Sequence, residues 1–109
     1  MSTLDIVKYQ IVNYCYFNKI PLSDAAALCL AKLSIRGKTD LNKFCNQMSE
    51  EKVFASAQVV RNTLTLSEER KLIIKEGKKP IIIEINPDIN VQNSGNILLE
   101  YKLFAREPA

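Results

Sequence analysis

The stretch from Lys52 to Asn86, KVFASAQVVRNTLTLSEERKLIIKEGKKPIIIEIN, constrains the fold more than any other part of the chain. In its first half Val53, Ala57, Val60 and Leu64 recur at helical spacing and predict a helix with one apolar side. Ser56 is the expected N-cap of the run AQVVRNTLTLSEE. Gln58, Arg61, Asn62 and Thr65 then fall on the opposite side, with Val59, Thr63 and Leu66 at the boundary. The second half changes period. KLIIK at 71–75 and PIIIEI at 80–85 are strand-forming runs around the turn Glu76-Gly77-Lys78-Lys79. Glycine there permits positive φ, and Pro80 suits the first residue of a strand. The order is helix, then a β-ribbon with a basic tip.

Three further helices are expected upstream. Leu4, Val7, Ile11, Tyr14 with Cys15, and Phe17 form an apolar stripe over 3–19, capped by Ser2 or Thr3 and ended by Pro21. Tyr9, Tyr14, Tyr16 and Phe17 make this helix rich in aromatics, which favours a homo-oligomer seam through residues 3–19. Ser23 caps a second helix, DAAALCLAKLS, apolar almost all round and therefore central. Gly37 marks its end, in the left-handed conformation common after helices. Thr39 is the expected cap of a short third helix. Leu41, Phe44, Cys45 and Met48 form its buried stripe, and Asp40 sits in its first turn. Downstream, Asn86-Pro87-Asp88 signals a turn, and 89–92 with 97–104 predict a C-terminal hairpin around Asn93-Ser94-Gly95-Asn96. The 109 residues read as one domain. It comprises an N-terminal helical part (1–37), a helix–ribbon part (38–86) and the hairpin (87–109).

Composition narrows the chemistry. Histidine is absent, which removes the commonest general base and zinc ligand. Cys15, Cys29 and Cys45 are widely spaced, fit no metal or disulfide pattern, and are expected to be buried as small apolar groups. No paired carboxylates and no glycine-rich phosphate loop stand out, so the expectation is a non-enzyme without cofactor or metal. No apolar run approaches the roughly 20 residues of a membrane span. The first residues, MSTLDIVKYQ, lack a leader pattern, so a cytoplasmic protein is expected.

Charge is unevenly distributed. Residues 1–51 carry net +1, and residues 81–109 carry net −2. Between them, residues 52–80 hold seven basic against three acidic groups, net +4. This excess sits on the fourth helix and the ribbon. Arginine can bond guanine bidentately, and Gln or Asn can bond adenine, so Gln58, Arg61, Asn62 and Thr65 suit base edges. Ser56 at the helix start and Lys75, Lys78 and Lys79 of the ribbon suit phosphate, and Lys43 of the third helix would brace across the backbone.

The pattern S-x-Q-V-V-R-N-x-L followed by LIIKEGKKPIIIEI resembles the recognition helix and wing of winged helix-turn-helix proteins. The resemblance covers about 35 residues, and the three preceding helices are compatible with it. It implies four helices followed by a β-ribbon wing and a C-terminal hairpin, with double-stranded DNA as partner and a role in transcription regulation. Such proteins often carry glycine between recognition helix and wing. Lys71 stands there instead, so that turn is expected to be built differently. INPDINVQNSGNILLEYKLF is similar to the tail of small winged-helix proteins of crAss-like tailed bacteriophages. That likeness implies host cytoplasm or virion as the location, while the modest net charge, the aromatic first helix and the acidic segment 81–109 favour an alternative role. The alternative is a structural or adaptor protein using the same fold for a protein partner, such as a neck or tail ring component.

Overall fold

A computed structural model describes residues 2–91. Four helices come first: α1 (Thr3–Phe17), α2 (Asp24–Arg36), α3 (Leu41–Glu50) and α4 (Ala57–Glu69). Three short strands, β1 (Thr39–Asp40), β2 (Ile73–Glu76) and β3 (Ile82–Ile85), form one antiparallel sheet in the order β1-β3-β2. The class is therefore α+β. Of the expected C-terminal hairpin, residues 92–104 lie outside the described residues. Ile89, expected to open its first strand, instead closes a 3-10 turn over Pro87–Ile89. Asn86 enforces that turn, because its side-chain oxygen accepts from Asp88 N at 3.0 Å.

Each helix start is fixed by a short polar side chain. Ser2 makes a capping box with Asp5, and Ser23 and Ser56 accept from Ala26 N and Val59 N. The third cap differs from expectation. Asp40, not Thr39, caps α3, accepting from Asn42 N at 2.8 Å and Lys43 N at 3.3 Å. Thr39 is drawn away into β1, paired with Ile83 of β3. Asp40 pairs with Ile82, and Leu41 N donates to Ile81 O at 2.8 Å. The start of α3 is thus stitched to the sheet.

Three of the four helix ends follow one rule. α1, α3 and α4 are each followed by a lysine in the left-handed region: Lys19 (φ 57°), Lys52 (φ 58°) and Lys71 (φ 61°). The next residue, Ile20, Val53 or Leu72, then donates its N–H back to the carbonyl of Cys15, Met48 or Ser67 at 2.8–3.1 Å. This is a Schellman closure with lysine where glycine is usual. The turn after α4 is therefore not built differently. Lys71 adopts the conformation a glycine would take, and Leu72 behind it is buried. A left-handed non-glycine residue costs about 1–2 kcal/mol, partly offset in glycine by its looser unfolded chain. Lys71→Gly is therefore expected to raise stability by about 0.5–1 kcal/mol, read as a higher urea midpoint. A lowered midpoint would show that the lysine side chain outweighs its backbone strain. α2 ends differently, on Gly37 at φ 81°, ψ −160°, a region essentially restricted to glycine.

The core lies where the four helices meet the inner face of the sheet. Val7, Ile11 and Cys15 of α1 pack on Cys29, Leu30 and Leu33 of α2. Leu41, Phe44, Cys45 and Met48 of α3 are all buried, as their spacing predicts. Val60 and Leu64 of α4, Leu72, Ile73 and Ile83 complete the cluster. Phe17 departs from its expected place in the stripe of α1 and is 78% exposed. The helix closes at Phe17 and the chain turns back through Lys19, which leaves that ring outside the core; Ile6, outside the expected stripe, is buried.

Candidate nucleic-acid interface

The outer side of α4 carries the expected polar row, and the helix is tied to neighbouring elements at Arg61 and Glu68. Gln58, Asn62 and Thr65 are exposed at successive turns. Gln58 Nε2 donates to Asn62 Oδ1 at 3.0 Å, so the two amides hold each other along the helix. Ser56 is exposed, with its oxygen accepting the capping bond from Val59 N at 3.3 Å. Its hydroxyl remains able to donate to a separate acceptor.

Arg61 is half-buried and leans toward α3, where its Nη2 donates to Asn42 Oδ1 at 2.8 Å. Asn42 lies one residue inside the capped end of α3, so this bond joins the start of α3 to the middle of α4. The guanidinium keeps further N–H donors for an anion at that crossing. Asn42 carries no sequence signal of its own, because its partner is 19 residues away. Lys43 beside it is exposed.

Lys75 departs from the expectation that it stands with the loop lysines. It sits in β2 opposite Ile83, with its stem on the core side of the sheet and its side chain only 19% exposed. Its ammonium reaches Glu68 of α4 at 3.6 Å. A partly exposed pair of this kind contributes little stability, but it holds the ribbon against the end of α4. Lys78 and Lys79, in contrast, are exposed in the loop between β2 and β3. Gly77 opens that loop at φ 81°, and a Cβ there would lie 2.9 Å from Pro80 O. Only glycine satisfies both conditions. The Lys79–Pro80 peptide is cis.

The three thiols are all buried and free. Burial pushes the Cys29 thiol up to about 12, with neighbouring Cys45 adding to it. Burial also raises Cys15 and Cys45, against the opposing influence of Arg70 on the first and of Arg61 and Lys75 on the second. Such thiols stay protonated and poorly nucleophilic. Among the described residues, no helix is long and apolar enough to cross a membrane, and no three His, Cys, Asp or Glu side chains gather as a metal site. Comparisons with protein-family models, curated proteins and solved structures find no match.

Proposed function

We propose that this chain is a winged-helix protein that binds double-stranded DNA, with α4 as the recognition helix and the β2–β3 loop as the wing, and acts as a transcriptional regulator. The element order α2-β1-α3-α4-β2-β3, with the sheet order β1-β3-β2, supports the fold assignment. One observation carries the function. The exposed row Gln58-Asn62-Thr65 lies on a helix tied twice to its neighbours, by the Arg61–Asn42 bond to α3 and the Glu68–Lys75 pair to β2. These ties support a pre-organised surface, and the Glu68–Lys75 pair joins α4 to the ribbon that carries the two-lysine loop. In this reading Gln58, Asn62 and Thr65 meet base edges, Ser56 meets a phosphate, and Lys78 and Lys79 each meet a further one. Arg61 positions α4 and offers its remaining N–H groups to the backbone.

Fluorescence anisotropy on a duplex of about 20 base pairs tests this. Affinity should fall with salt at a log–log slope of about −0.9 per phosphate neutralised. Replacing Lys78 and Lys79 together with alanine should make that slope shallower by about 2. A wild-type protein that ignores duplex DNA at low salt contradicts the proposal.

A second reading has one observation in its favour. Glu68 and Glu69, both exposed, end the polar row, and carboxylates there repel phosphate. An adaptor that uses the same surface for a basic protein partner, such as a neighbouring subunit of a virion, fits that feature. It becomes the preferred account if DNA binding fails.

A further inference from the structure

The exposed row of α4 is made of amides and a hydroxyl, and its helix brings no free cation to it. Arg61 is the one basic residue between Ala57 and Glu69, and its Nη2 is drawn aside onto Asn42 Oδ1 of α3 at 2.8 Å. Guanine shows two acceptors, N7 and O6, in the major groove and is most often read by the fork of an arginine or by a lysine. On this helix the one such fork is engaged between α3 and α4.

The hydrogen bonds within the row point the same way. Gln58 Nε2 donates to Asn62 Oδ1 at 3.0 Å, which sets the direction in which each amide faces. That bond leaves Gln58 Oε1 to accept and the two N–H groups of Asn62 to donate. An acceptor beside a donor is the complement of adenine, whose N6–H group meets the first and whose N7 meets the second. Guanine would set its O6 against the Gln58 carbonyl, acceptor on acceptor. Val59 adds an independent cue. It is 41% exposed and stands three residues before Asn62, so the two are neighbours on the helix surface. The major groove has one apolar feature for such a side chain, the C5-methyl group of thymine.

We infer that α4 selects A·T pairs: the Gln58–Asn62 amide pair reads an adenine, Val59 packs on the methyl group of an adjacent thymine, and Arg61 reads no base. This assignment rests on the DNA reading above and names the class of duplex that the surface prefers. Thr65 accommodates either base, and Lys78 and Lys79 meet phosphate without reading sequence. Glu69 lies in the last turn of α4, away from the first turns that read bases in this kind of docking.

Selection from a pool of duplexes of about 20 base pairs, with about eight central pairs randomised, tests the inference once the bound fraction is sequenced. Adenine with a neighbouring thymine should be enriched about tenfold or more over guanine and cytosine. In the best-bound duplex, replacing the read adenine by 7-deazaadenine, which lacks the N7 acceptor, should weaken binding about five- to tenfold. Replacing the adjacent thymine by uracil, which lacks only the methyl group, should weaken it about threefold. Asn62→Ala should abolish the first loss and Val59→Ala the second, while both variants keep the wild-type salt dependence because their phosphate contacts are untouched. Bound DNA without base preference, or with guanine enriched, overturns the inference and leaves the DNA reading standing. So does an A·T preference that survives 7-deazaadenine, because the minor groove would then be what is read. A protein that retains no duplex from the pool overturns the inference together with the DNA reading.

Discussion

Phe44→Ala is expected to lower the free energy of unfolding by about 3–5 kcal/mol, the range for removing a buried phenyl ring. Phe44 is fully buried and is the largest side chain in the core. It projects from α3, the shortest helix, which has few other anchors: Asp40 at its start, and Leu41, Cys45 and Met48 along its stripe. Removing the ring takes away apolar area and leaves a cavity that capped, stitched α3 cannot easily collapse. A domain of this size has about 5–15 kcal/mol in total, so the variant should sit near the edge of folding. The measurement is urea unfolding followed by circular dichroism, with a much lower midpoint at unchanged slope. Val12→Ala, on the exposed side of α1, should change stability by no more than about 0.5 kcal/mol. A loss below about 1 kcal/mol for Phe44→Ala would place α3 outside the core.

The second large effect is alkaline. Burial holds Cys29 protonated in the folded state, its pKa pushed up to about 12 against an ordinary value of 9.0. The folded protein thus retains a proton that the unfolded chain gives up between these values. Stability is full below about pH 8 and falls as pH rises from about 9 toward 12, by about 1.4 kcal/mol per unit from this thiol alone. Cys15 and Cys45 are shifted in the same direction and add to the fall. Stability at alkaline pH reflects more than one residue, so the informative quantity is a difference. The stability gap between wild type and Cys29→Ala should be constant from pH 6 to 8 and shrink steadily above pH 9. A gap that stays constant to pH 10.5 would mean that the thiol ionises freely in the native fold.

How much of this was legible in the sequence divides along the line between local and long-range causes. Ser23 and Ser56 cap their helices through bonds to residues three positions on, so their role is written in neighbouring letters. The stripe of α3 and the inward side of α4 are periodic patterns, and Gly77 marks its turn by being glycine. β1 was missed because two residues carry no period, and Thr39 becomes a strand only by meeting Ile83 far along the chain. That same pairing moved the α3 cap from Thr39 to Asp40. Lys71 showed nothing of its left-handed turn, which is imposed by Leu72 seeking the core. At the candidate site, the exposure of Gln58, Asn62 and Thr65 followed from helical geometry. The bonds of Arg61 to Asn42 and Lys75 to Glu68 did not, because each joins separate elements. They redistribute the roles: two of the expected contact residues brace the surface on which the others stand.

In the proposed complex the outer side of α4 and the loop carrying Lys78 and Lys79 act as one surface for a DNA duplex. Amide chemical-shift mapping during titration with duplex DNA at low salt tests it most directly. The account predicts that shifts concentrate at Ser56, Gln58, Asn62, Thr65 and residues 77–80, while the amides of α1 stay still. Shifts confined to α1, or a spectrum that does not change at all, would contradict it.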